Sequence, residues 1–293
     1  MDALSDDGQH GLTLIAFIGS VFSPYYALSG RHDPANHCAI NVALYGQPRL
    51  WTMTERGRAA LRRGPDHLTI GPSTLTWADG GLSVSIDERT APLPRPVRGR
   101  IRVFPAALNS QTFRLDGAGR HRWRPVLPSA RVEVHLESPA LSWSGAGYFD
   151  TNDGDEPMQA AFRRWDWSRG CTADGGTAIL YDITPRHADQ GPTLLALRSA
   201  PDGSLVPADM PPPAPLPMGP AWRVARGTRC DAGTCPRVVE TLEDTPFYTR
   251  SVVDTALWGE RVRSVHESLD LERLRSRWVP WLLPFRMPRI GGR

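Results

Sequence analysis

The sequence predicts an all-β protein, built as two antiparallel β-barrel or β-sandwich domains in tandem. Three observations carry this. Short apolar runs, several of them alternating with polar residues, recur along most of the chain, punctuated by Gly, Pro, Asn and Asp; that is the pattern of many short strands joined by turns. Gly and Pro number 27 and 28 among 293 residues, about 19% against roughly 12% in ordinary globular chains. Such a spread excludes coiled-coil and helix-bundle architectures. The strand runs also form two meanders on either side of a turn-rich stretch at residues 155–172. The expected domains are therefore residues 1–157 and 158–293.

The elements follow in order. Residues 13–22 (TLIAFIGSVF), 38–46 (CAINVALYG) and 50–55 (LWTMTE) read as the first strands. Residues 57–63 (GRAALRR) are the one helical candidate. Strands are then expected at LTIG, LSVSIDE, GRIRVFP, FRLD and HRWRP, and over 131–137 (RVEVHLE). The last is the clearest: Val132, Val134 and Leu136 share one face, and Arg131, Glu133, His135 and Glu137 the other, as in a strand with one wet side. LSWSGAGYFD (141–150) closes the first meander at the Asn152–Pro157 turn. The second runs through TAILYDI, TLLALRS, AWRVAR, RVVETLE, FYTRSVVDTALWGE and RVRSVHESLDL. The Pro-rich segment 208–220 reads as an extended connector within it.

Composition excludes several functions. All 34 basic residues are Arg, so lysine Schiff-base and P-loop chemistry are out. A net charge of +3 is too small to imply nucleic acid. No apolar run approaches the roughly 18–20 residues of a spanning helix. The four cysteines, Cys38, Cys171, Cys230 and Cys235, have poor zinc spacing, and free thiols in a reducing compartment are expected. With no His/Asp set at ligand spacing either, no metal is expected. The acidic, polar N-terminus lacks the basic start of a secretory signal.

The densest chemistry lies between residues 120 and 170. On a strand, residues two apart point the same way, so His121 projects with Trp123. In LSWSGAGYFD, Ser142, Ser144, Ala146, Tyr148 and Asp150 share a face: small residues that leave room, ending at a phenol and a carboxyl. Gly145 and Gly147 are possible bulge positions. Each signal also has a plain structural reading. Asp150 precedes TNDG and fits a turn acid, HRW fits a solvated strand face, Trp165–Trp167 fit core aromatics, and Arg169 and Arg250 fit surface or interdomain ion pairs.

A family resemblance bears on these alternatives. GSVFSPYYA, CAINVALYG, WTMTERG, IGPS, GRHRWRP, GYFDTNDGDEP, WDWSRG, TLEDTPFY, VHESLDL and LPFRMPR together resemble the carotenoid 1,2-hydratases, or hydroxyneurosporene synthases, of phototrophic bacteria. The similarity runs from about residue 15 to the C-terminus. It implies a double lipocalin-like fold, and a site in which a His-x-Trp pair matches His121 and Trp123 and a Tyr-x-Asp pair matches Tyr148 and Asp150. By resemblance, water is added across the terminal C1=C2 bond of an acyclic carotene such as neurosporene or lycopene, with no cofactor. Asp150 would protonate the alkene, Tyr148 orient it, Trp123 face the cation, and His121 position or deprotonate water. Asp166 and Asp182 are the next acid candidates. A carrier of an apolar ligand, or a cyclase or isomerase, are the alternative uses of such a scaffold. A carotene lives in a bilayer, so peripheral contact on the cytoplasmic side of the photosynthetic membrane is expected. The segment SRWVPWLLPFRMPR, with Trp278, Trp281, Leu282, Leu283 and Phe285 between Arg277 and Arg286, suits that contact; a last core strand is the other reading.

Overall fold

A computed structural model describes residues 1–200 and 203–290. The chain is nearly all β, in large antiparallel sheets. Its contacts cluster into two compact units that are not consecutive in sequence. One holds Met1–Pro105, Ala130–Phe149 and the C-terminal segment from Pro280; the other holds Ala106–Ser129 and Asp150–Val279. The expected division at 157/158 places residues 106–129, residues 150–157 and the C-terminal segment in the opposite halves.

In the first unit the alternating strands bury one face. Along His121–Ser138, Val132, Val134 and Leu136 are buried while Arg131, Glu133, His135 and Glu137 are exposed. Gly81–Arg89 does the same with Leu82, Val84 and Ile86 inside. Cys38–Tyr45 is buried throughout, as its unbroken apolar run requires. The helical candidate at 57–63 is corrected: Arg58–Ala60 make one 3-10 turn, and Leu61–Arg63 pair as a strand with His67–Ile70. The short run between Gly57 and Gly64 holds too few residues to repay helix nucleation. A one-turn helix lies instead at Pro24–Leu28, where the Ser23 hydroxyl accepts the Tyr26 N–H at 2.9 Å and Pro24 occupies the first turn. Near the end of the chain, Arg289–Ile290 pair in parallel with Glu55–Arg56. The buried Glu55 carboxylate takes the Arg289 guanidinium and, at 2.8 Å, the His37 ring.

The second unit is organised on a seven-stranded antiparallel sheet. Its order is Leu205–Pro207, Thr193–Ser199, Thr177–Pro185, Phe162–Cys171, Glu260–Asp270, Tyr248–Leu257, Arg237–Asp244. The Pro-rich connector contains a strand after all: Pro213–Leu216 pairs with Arg226–Arg229 in a separate two-stranded sheet, where proline is tolerated because the strand lies at an edge. The strand expected at AWRVAR therefore begins only at Arg226, and residues 221–222 form a turn.

Register gives the large sheet two chemically different faces. Tyr181, Trp167, Glu267 and Arg250 stand in one row across four strands, beside a row of Ile183, Trp165, Leu269 and Tyr248. The opposite face carries Asp182, Asp166, Ser268 and Thr249, then Leu180, Ser168, His266 and Ser251.

Candidate active site

Two side chains of the expected site meet directly in the second unit. Trp123 is fully buried and its indole N–H donates to Asp150 Oδ2 at 2.8 Å. Phe113–Arg114 pairs with the start of the His121–Ser138 strand, Phe113 opposite Trp123. The solvated-face reading of HRW fails, because His121 and Trp123 both point inward, with Arg122 between them reaching out to Asp153 and Asp155.

Around Trp123 runs a continuous arc of rings. Trp123 meets Tyr181 edge-on at 5.4 Å, Tyr181 meets Trp165 at 6.0 Å, Trp165 meets Phe162 at 6.2 Å, and Phe162 meets His121 at 4.7 Å. Phe113 packs on the far side of Trp123 at 5.4 Å. The arc thus leads from Trp123 back to His121, its neighbour on the same strand face. Tyr181 is the residue that sequence reading missed: TAILYDI was legible as a strand, but nothing in it said which face met Trp123. Burial, reinforced by the Asp150 and Glu267 carboxylates, holds the Tyr181 phenol well above its ordinary range, so it stays protonated. Glu267 itself is taken by the guanidinium of buried Arg250, which also donates to the Tyr248 hydroxyl at 2.8 Å.

Tyr148 is buried in the first unit, in register with Asp2. The strand pairing Gly145–Tyr148 with Asp2–Ser5 shows no register shift, so the glycines mark no bulge. They mark close approach: a Cβ on Gly145 would lie 1.9 Å from the Leu4 carbonyl oxygen, and one on Gly147 2.2 Å from Val132 Cγ2.

His121 has a different set of acidic neighbours. Its Nε2 is buried without a hydrogen-bond partner, 3.8 Å from Glu156 Oε1. Asp116, in the turn that leads into the strand, completes a cluster with donor atoms within 4.8 Å of one another. Sequence spacing did not reveal this set, because the 116–119 turn and the 152–157 turn meet only in the fold. Burial depresses the His121 pKa more than the nearby carboxylates raise it, which keeps the imidazole neutral and its lone pair available. Gly154 is required beside it, since a Cβ there would lie 2.6 Å from His121 Nδ1.

The two reserve acids lie elsewhere. Asp166 accepts from Ser268, from the Gly227 N–H at 3.2 Å and from Arg164 at 2.9 Å, and Asp182 pairs with Arg229 at 2.7 Å. Both stand on the sheet face opposite Tyr181 and are engaged in ion pairs there. The four cysteines are free, with Cys38 and Cys230 buried; burial pushes the Cys38 thiol up to about 11.

The fold belongs to a known class of all-β proteins. The structure of an AttH protein from Nitrosomonas europaea matches with a TM-score of 0.63, covering 92% of this chain and 89% of that one at 14% identity; CghA matches at 0.50 over 92% and 86%, with 15% identity. Within that class the sequence relatives of this chain make it an enzyme, a hydro-lyase. Residues 14–293 match the family Carotenoid hydratase CrtC, and the chain belongs to that family. An acyclic carotenoid 1,2-hydratase of Thiocapsa roseopersicina is 57% identical over this whole chain and 72% of its own. One from Cereibacter sphaeroides is 45% identical over 95% of this chain and 99% of its own.

Proposed function

We propose that this chain is an acyclic carotenoid 1,2-hydratase. It adds water across the terminal C1=C2 bond of an acyclic carotene, such as lycopene or neurosporene, with acid catalysis by Asp150 and no cofactor. The observation that carries this reading is the Trp123–Asp150 hydrogen bond beside the aromatic arc. An unactivated alkene offers nothing for a nucleophile to attack. It reacts by taking a proton at C2, which leaves a tertiary cation at C1. Asp150 supplies that proton. The indole N–H on Oδ2 fixes the carboxyl. The rings of Trp123, Tyr181 and Trp165 offer π-faces to the cation, each contact worth about 0.5–2 kcal/mol.

Water then adds to C1 and loses a proton to His121, whose imidazole burial keeps neutral. Return of that proton to Asp150 closes the cycle, so alkene plus water gives a tertiary alcohol with no net acid consumed. Tyr148, two residues before Asp150 on the Ala140–Gly154 strand, is assigned to orient the carboxyl. The substrate is collected peripherally at the cytoplasmic face of a membrane by the segment at 278–285. Its support is exposure: Trp281 is 79% and Phe285 70% exposed around the short helix Val279–Leu282, an arrangement suited to the headgroup region. Among the described residues no helix is long and apolar enough to cross a membrane. Incubation with lycopene in oxygen-18 water tests the function. A product heavier by one labelled water supports hydration. A product isomeric with lycopene would point to a cyclase or isomerase, and unchanged lycopene to a carrier.

A further inference from the structure

The Asp116–His121–Glu156 cluster has the makings of a metal site. Two of its donors are buried and unpartnered: His121 Nε2 and Asp116 Oδ2. Buried polar atoms are nearly always paired, so two orphans facing one small volume point to something that fills it. One oxygen of each carboxylate is already engaged. Asp116 Oδ1 accepts the Arg120 N–H at 2.8 Å, and Arg120 reaches Glu156 Oε2 at 3.2 Å. Glu156 Oε1 is left facing His121 at 3.8 Å. Arg122, the other nearby cation, is bound to Asp153 and Asp155. The donors therefore number one imidazole and two carboxylate oxygens.

A tetrahedral ion with bonds of about 2.1 Å needs its donors about 3.4 Å apart. The present Nε2–Oε1 separation of 3.8 Å asks for a contraction of a few tenths of an ångström. Glu156 is about one-fifth exposed at its side chain, which gives an ion a route in. An imidazole with two carboxylates suits a first-row divalent ion better than magnesium, which prefers oxygen alone.

We propose that Asp116, His121 and Glu156 bind a divalent transition-metal ion, zinc being the best chemical fit, and that the bound ion inhibits hydration by occupying the His121 lone pair. The inhibition clause rests on the function proposed above; the site does not. No metal enters the reaction itself, so removal of the ion restores turnover.

The test uses the full chain, freed of metal with a chelator and with its cysteines alkylated. Zinc is titrated calorimetrically, and cobalt(II) by its visible absorption. One ion per chain is expected, in a low-coordinate cobalt spectrum without thiolate charge-transfer bands. Asp116→Asn, which keeps the oxygen that accepts the Arg120 N–H, and Glu156→Gln should each weaken binding at least tenfold, a loss that even an outer partner of a metal ligand produces. Hydration should fall as zinc saturates the chain, with a midpoint that moves in both variants by the same factor as the affinity. No stoichiometric binding, or binding that neither substitution weakens, would overturn the site and indicate that water fills the space. Zinc bound as expected with turnover unaffected would uphold the site and remove His121 from the reaction.

Discussion

Replacing Asp150 with Asn isolates proton donation from folding. The side chain keeps its size, and the amide oxygen can still accept the indole N–H of Trp123 now bonded to Oδ2 at 2.8 Å. Exchanging a carboxyl for an amide as acceptor of one retained hydrogen bond costs at most about 1 kcal/mol, or roughly 2–4 °C in melting temperature for a unit of this size. What is lost is the acidic proton. General acid catalysis contributes about 10²–10⁴ in rate, equivalent to roughly 2.7–5.4 kcal/mol of barrier. The loss should stand near the upper end, because the other acids of the large sheet are poorly placed to substitute: Glu267 is bound to Arg250, and Asp166 and Asp182 face the other side of their sheet. The assay is oxygen-18 incorporation into lycopene, alongside circular dichroism and thermal melting. A folded Asp150→Asn chain that hydrates within about tenfold of the parent, about 1.4 kcal/mol, would refute the assignment.

Trp123→Phe keeps an aromatic face but leaves a carboxyl oxygen without its donor, a cost of about 1–3 kcal/mol; turnover should fall roughly tenfold to a hundredfold, less than in Asp150→Asn, and an equal loss would show that the indole does more than orient the acid. Turnover should decline on acidification with an apparent pKa below about 6.5, because burial depresses His121 and protonation removes its lone pair; a decline centred above 7 would assign the limb to another group. His266 is buried, its pKa lowered chiefly by burial, with its Nε2–H donating to the Gly227 carbonyl at 2.7 Å. The unfolded chain therefore binds more protons than the folded one below about pH 6.5, so stability falls as pH drops through that range; in His266→Gln the melting temperature should change less between pH 7 and 5, and an unchanged slope would dismiss His266 as the cause. Trp278→Ser with Trp281→Ser should weaken flotation with anionic liposomes while the melt stays cooperative, and undiminished flotation would exclude this segment as the contact. Turnover should survive EDTA, whereas loss restored by one particular metal would contradict a metal-free reaction.

Which side chains share a strand face was readable from the sequence, and which faces meet was not. The i, i+2 rule put His121 and Trp123 on one face, and both are buried there. In the structure, alternation likewise separates Trp165 and Trp167 from Asp166, and Tyr181 from Asp182. Which of those faces met Trp123 depended on pairing between strands far apart in the chain, so Tyr181 went unnoticed and Asp166 and Asp182 stood as reserve acids. Two further misreadings came from local signals overruled by length or pairing. GRAALRR has helix-forming residues but room for only one turn, and AWRVAR has strand-forming residues, yet only its last arginine joins a strand. The cluster at His121 was hidden for the same reason as Tyr181: Asp116 and Glu156 reach it from turns forty residues apart.

The two-faced sheet has an evolutionary consequence. One pleat separates the ring arc of Trp165 and Tyr181 from the ion-paired Asp166 and Asp182. A one-residue deletion inside Phe162–Cys171 would exchange the faces beyond it, driving Asp166 among aromatic rings and Trp165 toward arginines. Length changes should therefore be confined to the turns, such as residues 172–176, where the chain can absorb them without altering pleat parity. Across natural variants, Phe162–Cys171 and Thr177–Pro185 should hold constant length even where their sequences diverge, and a library of single-codon deletions should yield active chains from the turns and none from these two strands.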